Sequence, residues 1–186
     1  IGIILSVALI TALSSLVVSF KESIINLEKH INGDFHYSFD GVQSNDLGIF
    51  ENNRSIENFY KVGTLGYAKI NTENEYKPYA YVITMDKNDF DSVGIELTDG
   101  ELPKNNNEII IPRHLRNNGK VDLKVGDTIT LEVGSRMSEG YALGQNNPYE
   151  ETNNETIENT VSVTYKVVGI FERPSTALEP FSSPGY

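Results

Sequence analysis

The chain has 186 residues, 15 Lys+Arg against 26 Asp+Glu for a formal charge of -11, seven prolines, fifteen glycines and no cysteine. That charge repels polyanions and sets nucleic acid aside as a partner, while the missing cysteines exclude disulfides, thiolate metal sites and a cysteine nucleophile. The length suffices for one sizeable core and more.

Ile1 to Phe20 carries no charged residue. At a rise of about 1.5 Å per residue such a helix is about 30 Å long, the thickness of a bilayer core, so the stretch reads as a transmembrane helix. A signal peptide has a shorter apolar region and a small-residue cleavage site; here the run continues into charged helix. From Lys21 the helical spacing persists through Ile24, Leu27 and Ile31, with Gly33 placed to stop it. One continuous helix should leave the membrane as a stalk about 15 Å long, its apolar stripe in need of a partner.

Asp34 to Phe39 alternates aromatic and polar residues and reads as a short strand, and Ser44 is placed to cap a helical turn carrying Leu47 and Phe50. Val62 to Ile70 and Tyr76 to Met85 read as strands joined by the polar loop Asn71 to Glu75, with Pro78 favouring an edge. Asp86 to Asp91 is a polar turn or short helix. Glu108 to Ile111 is a strand ended by Pro112, and Arg113 to Asn118 is a helical turn closed by Gly119. Thr128 to Val133 and Val161 to Phe171 mix β-branched, aromatic and aliphatic residues near period two and should pair as a hairpin; Gly169 suits a bulge or a close backbone approach. Between them lie Ser135 to Thr160, 26 residues with five glutamates and no cation after Arg136. So polar a segment reads as a mobile extension or as a surface that orders on a partner, and replacing Ser138 to Glu158 by a short turn should leave the domain folded. Pro180 to Tyr186 reads as a segment without closure, as in a piece of a longer protein.

Little in the chain suggests catalysis. His30, His36 and His114 do not make the three or four convergent ligands of a metal site. Asp86, Asn88, Asp89 and Asp91 begin like a calcium loop, but Phe90, Asp91 and Leu97 stand where an Asx, the glycine and the terminal glutamate belong. Gly119-Lys120 lacks the rest of a phosphate-binding loop, no Gly-x-Ser-x-Gly elbow occurs, and Glu150-Glu151 lie in a polar loop where their pKa values have no cause to separate. No catalytic, cofactor or metal residue is assigned. Tyr141, Leu143 and Tyr149, apolar groups in the long polar loop, are the candidate partner contacts.

Four segments carry a resemblance. Gly100-Glu101-Leu102-Pro103, Asn107 to Ile111, Lys124 to Ile129 and Tyr165 to Phe171, in that order behind an apolar N-terminal helix, resemble the extracytoplasmic core domain of MacB/FtsX-type ABC transporter permeases. The implied fold is α+β: a transmembrane helix and stalk (1–31), then a mixed, largely antiparallel sheet domain. Its parts would be the first half of a porter-like part (32–85), an inserted β-rich subdomain (86–173) and the start of the return to the porter-like part (174–186). The resemblance implies a non-enzymatic membrane protein without cofactor, its domain on the extracytoplasmic side and the whole a dimer in the full transporter. It would couple ATP hydrolysis by a cytoplasmic ABC ATPase subunit to handling a peptide or accessory protein outside the membrane. Peptide export or antimicrobial resistance, lipoprotein release and cell-wall hydrolase activation are the family's roles. The alternative is a membrane-anchored extracellular binding or sensor domain without transport.

Overall fold

The computed structural model describes residues 2–32, 36–93, 95–172 and 183–186, leaving aside the side chains of 30–32 and 91–93. Helix α1, Gly2–Asn32, is one 31-residue helix whose described side chains are all exposed. Its stretch Gly2–Lys29 is long and apolar enough to cross a membrane. The predicted stop at Gly33 lies outside the described residues.

Residues 36–39 form no strand, a correction to the reading of Asp34 to Phe39, of which 34 and 35 lie outside the described residues. Phe39 instead sets its ring 5.3 Å from that of Phe50 on α2, Leu47–Glu51. Ser44 does not cap that turn. It opens a 3-10 turn, Ser44–Asp46, with Gln43 before it and no side-chain cap bond. Asn52 closes the helix, its Nδ2 donating to Gly48 O at 2.7 Å.

The remainder is a seven-stranded, largely antiparallel sheet with α3 packed on it, so the chain is α+β with an apolar N-terminal helix. Its strands are β1 (Val62–Lys69), β2 (Tyr79–Met85), β3 (Glu96–Gly100), β4 (Glu108–Pro112), β5 (Thr128–Ser138), β6 (Tyr141–Ala142) and β7 (Thr156–Glu172). β1 and β2 pair antiparallel, and β1 reaches β5 through Tyr67 opposite Gly134. The sheet therefore runs on across the Met85/Asp86 boundary. β3 was not foreseen. It is a five-residue strand with three exposed polar residues, Glu96, Thr98 and Asp99, and its place comes from pairing rather than from pattern.

β7 is the axis of the sheet. Lys166 faces Thr128 of β5 on one side and Glu108 of β4 on the other, and Ile170 likewise stands between Asp99 of β3 and Ile111 of β4. β5 and β3 thus lie end to end along one edge of β7, and β4 runs parallel along the opposite edge. The predicted hairpin of the two long strands is present, and Gly169 has the predicted close approach: a Cβ there would meet Glu101 O at 2.7 Å and Ile110 Cγ2 at 3.0 Å. Val168 is the extra residue of a bulge against β4, where Ile109 faces Val167 and Ile110 faces Gly169.

Two clusters fill the interior. Ala68, Val82, Leu131, Val133 and Tyr165 join β1, β2, β5 and β7, while Ile111, Leu115 and Val167 join β4 and β7 to α3, Arg113–Gly119. The left-handed residue ending α3 is Lys120, φ 57°, rather than Gly119. Gly119 answers a packing need: a Cβ there would sit 2.8 Å from both the Thr72 and the Tyr186 hydroxyls. The last residues, expected to lack closure, bridge β2. Tyr79 N donates to Pro184 O at 3.3 Å, Tyr186 N to Tyr79 O at 3.0 Å and Tyr81 N to Tyr186 O at 2.9 Å.

Candidate functional site

The polar segment between the long strands is shorter than its sequence suggests. β5 runs on to Ser138 and β7 already begins at Thr156, leaving residues 139–155 as the excursion. Glu139 and Gly140, φ 50° and 84°, turn the chain back so that β6 pairs with β5, Met137 facing Ala142 and Ser138 facing Tyr141. Positive φ at both central residues is the signature of the tight hairpin turn whose twist suits antiparallel strands.

What orders the rest is Arg136. Its side chain is buried, and all five N–H donors of the guanidinium are used: Nε to Glu155 Oε2 and Nη2 to Glu155 Oε1, both at 2.6 Å, Nη1 to Gly144 O at 3.0 Å and Asn147 O at 2.7 Å, and Nη2 to Pro148 O at 3.0 Å. Leu143 N donates to Arg136 O at 2.8 Å, and Ser138 Oγ to Asn153 O at 2.7 Å. A polar segment that cannot build an apolar core has organised itself around one buried cation instead. This corrects the expectation of a mobile extension or of order acquired only on a partner.

Tyrosines wall the ion pair. The guanidinium carbon lies 6.0 Å from the Tyr67 ring centre and 5.6 Å from that of Tyr79, whose hydroxyl donates to Glu155 Oε2 at 3.2 Å. Burial pushes both phenols up to about 12. At Tyr79 the Glu155 carboxylate and its hydrogen bond add to that rise while Arg136 opposes it; at Tyr67 the neighbouring Tyr81 adds and Arg136 again opposes.

The three candidate contacts separate. Tyr149 turns inward, its ring edge-on to Tyr79 at 5.9 Å and 82°, and Leu143 is half-buried beside Arg136. Tyr141 stands at the tip, 75% exposed, with Glu139, Glu150 and Glu151 also exposed on the same loop. Of the histidines, His36 is exposed and the His114 ring lies 5.4 Å from that of Tyr186, tilted by 53°, while the His30 side chain lies outside the described residues. In the acidic run, Asp86 pairs with Lys61 at 3.9 Å and Asp89 Oδ2 accepts from Lys61 N at 3.4 Å. Elsewhere the concave side of the sheet opens as an apolar cleft of about 920 Å³ between β2 and β4, lined in part by Ile83, Ile109 and Leu131.

Sequence reasoning missed Arg136 because strict alternation from Leu131 and Val133 puts Ser135 inside and Arg136 outside. The ladder slips between Val133 and Ser135, opposite Asn159 at φ 52°, and beyond the slip Arg136 is the buried residue. One signal was available: a single arginine opening a long segment whose other charges are all glutamates.

In comparisons with known proteins, no family model matches the chain and no curated protein matches it.

Proposed function

We propose that the chain is the extracytoplasmic part of an ABC transporter permease of the MacB/FtsX type, joined to its first membrane helix. The observation that carries the reading is where the resembling segments meet. They come from four places in the sequence, yet all converge on residues 166–169 of β7. Gly100 faces Gly169, Glu108 faces Lys166, and Gly126 N donates to Val167 O at 2.8 Å. A chance scatter of short motifs has no reason to share one junction. The uninterrupted α1, apolar through Phe20 and helical to Asn32, supports the same reading, because a rigid rod can transmit movement from a cytoplasmic ATPase to an outer domain.

In this reading the division into a porter-like part and an inserted subdomain lies near Met85, and the loop of residues 139–155 presents Tyr141 to a peptide or accessory protein. The domain contributes binding and movement, and the ATPase subunit contributes the chemistry. The test is purification of the full-length protein from membranes together with its genomic neighbours. Recovery of a stoichiometric ATP-hydrolysing subunit, with the domain cleaved by protease added to intact cells, is the expected result. A domain protected from external protease, or a protein recovered without an ATPase, overturns it.

A further inference from the structure

The cleft between β2 and β4 is walled by strand edges. Side chains of a strand alternate between its two faces, so a cavity lying on one face touches every second residue. Here the unbroken runs Ala80 to Met85 of β2 and Glu108 to Pro112 of β4 line the cleft, which therefore meets both strands edge-on.

Both edges have main-chain groups to offer. On β2, Tyr79 N donates to Pro184 O and Tyr81 N to Tyr186 O. Ile83 and Met85 turn the same way, away from β1, and no strand among the described residues pairs with them there. Just before β4, Asn107 O accepts from Lys166 N, so Ile109 and Ile111 face β7. Ile110 turns away from β7, and β4 has no second partner strand among the described residues.

Neither edge is guarded. Strands that end a sheet in water carry charges, prolines or bulges against stray pairing, and β3, with Glu96 and Asp99 exposed, follows that rule. Val82 to Met85 and Ile109 to Ile111 hold no charge, and Ile83 is 41% exposed. Two uncharged edges facing one gap suit an added strand rather than solvent.

Charge gives the occupant its chemistry. Lys69, Lys87 and Lys104 line the cleft against one acid, Glu108, the reverse of the balance in a chain of charge -11. Glu108 is turned back on its own turn, accepting from Lys104 N at 2.6 Å and Asn105 N at 3.2 Å, and Lys104 Nζ pairs with Glu101 at the rim. The pairings along the sheet make β2 and β4 run in opposite senses, so the end of β2 and the start of β4 share one end of the cleft. Lys87 follows β2 and Lys104 precedes β4 at that end.

We propose that the cleft takes an extended peptide of about five residues as an added strand between β2 and β4. It runs parallel to β2, as the bridge from Tyr79 to Gly185 already does, with apolar side chains at alternate positions and acidic ones at its C-terminal end, beside Lys87 and Lys104. This surface is distinct from the loop tip at Tyr141, and the inference does not rest on the transporter reading.

The test uses the full-length protein in lipid nanodiscs and the anisotropy of a fluorescein-labelled probe, a short peptide of alternating threonine and valine ending in glutamates at its free C-terminus. Saturable binding is expected. Methylating alternate amide nitrogens removes the donors that face one wall, and each of the two alternate patterns should weaken binding at least about tenfold. Lys87→Glu with Lys104→Glu, both at exposed positions, should weaken the probe at least about fivefold and favour a probe ending in lysines instead. Methylated probes that bind as well as the parent would make the cleft a general apolar pocket, as for an acyl chain, and overturn the proposal. So would the absence of saturable binding up to about 1 mM, which would mean that the chain itself or a second copy fills the gap. Charge reversal without effect would overturn the placement of the acidic end.

Discussion

Arg136 and Glu155 are joined by two parallel hydrogen bonds of 2.6 Å, with both side chains wholly shielded from solvent. The pair ties the end of β5 to the start of β7 across the excursion between them. Removing one partner leaves the other as an uncompensated buried charge, and broken pairs of this kind cost about 3–5 kcal/mol. Arg136→Ala and Glu155→Ala are each expected to lower stability by that order in urea unfolding. The double variant should lose much less than the sum of the two. Additive losses would mean that the two groups do not act as a pair.

The same relationship reverses an expectation drawn from sequence pattern. Replacing Ser138 to Glu158 by a short turn removes Glu155 and the carbonyls of Gly144, Asn147 and Pro148, and so strips every acceptor from a buried guanidinium. The shortened domain should lose cooperative unfolding. Adding Arg136→Met to the deletion should restore part of the stability, since an apolar chain of similar length leaves no charge unpaired. Equal melting of the parent and the shortened domain would refute this.

Alkaline pH should weaken the region. The Tyr67 and Tyr79 phenols are raised to about 12 chiefly by burial, above the unfolded value of about 10. Stability from a raised pKa is present in full below the unfolded value and is lost as pH rises through the folded one. Urea midpoints should therefore fall between about pH 10 and pH 12, and Tyr67→Phe with Tyr79→Phe should flatten that fall. An unchanged slope in the double variant would place the sensitive groups elsewhere.

Gly66 and Gly134 meet where β1 crosses β5. Gly66 has φ 135°, and a Cβ on it would run into Gly134 O, while one on Gly134 would run into Glu158 O. Gly66→Ala combines backbone strain with overpacking and should cost at least ~2 kcal/mol. Gly140→Ala is the control. Its φ of 84° carries the strain, but no atom lies within 4 Å of the added carbon. Similar losses in both would show that φ alone decides.

Tyr141 is exposed and should be silent in folding. Tyr141→Ala is expected to change stability by no more than about 0.5 kcal/mol. If the chain belongs to a transporter as proposed, the same change should reduce partner or substrate handling in a resistance or export assay on the full-length protein. Undiminished activity would remove the loop tip from the proposed contact surface.

The paired strands were legible because β1, β2, β4, β5 and β7 carry dense β-branched and aromatic patterns that need no distant context. β3 was not, since Glu96 to Gly100 is mostly polar and becomes a strand only because β7 offers it an edge. The order in the excursion was hidden for a related reason. Composition counts its glutamates as solvated, whereas Glu155 is buried by an arginine that a slip in the ladder has turned inward. Tyr149 was read as exposed because its neighbours are polar, and only the fold brings Tyr79 to it.

The central place of β7 has a consequence for how the domain comes into being. β3, β4 and β5 all precede β7, and each depends on residues of β7 for an edge. If the chain crosses a membrane N-terminus first, β3 and β4 emerge with no strand to pair against and β5 has only β1 and β6, so the sheet can close only after Glu172 is outside. Contacts so distant in sequence make a slow folder. On that route maturation waits on the delivery of one late strand, and a chain stalled before residue 156 would present β3 and β4 without partners and β5 with one edge open.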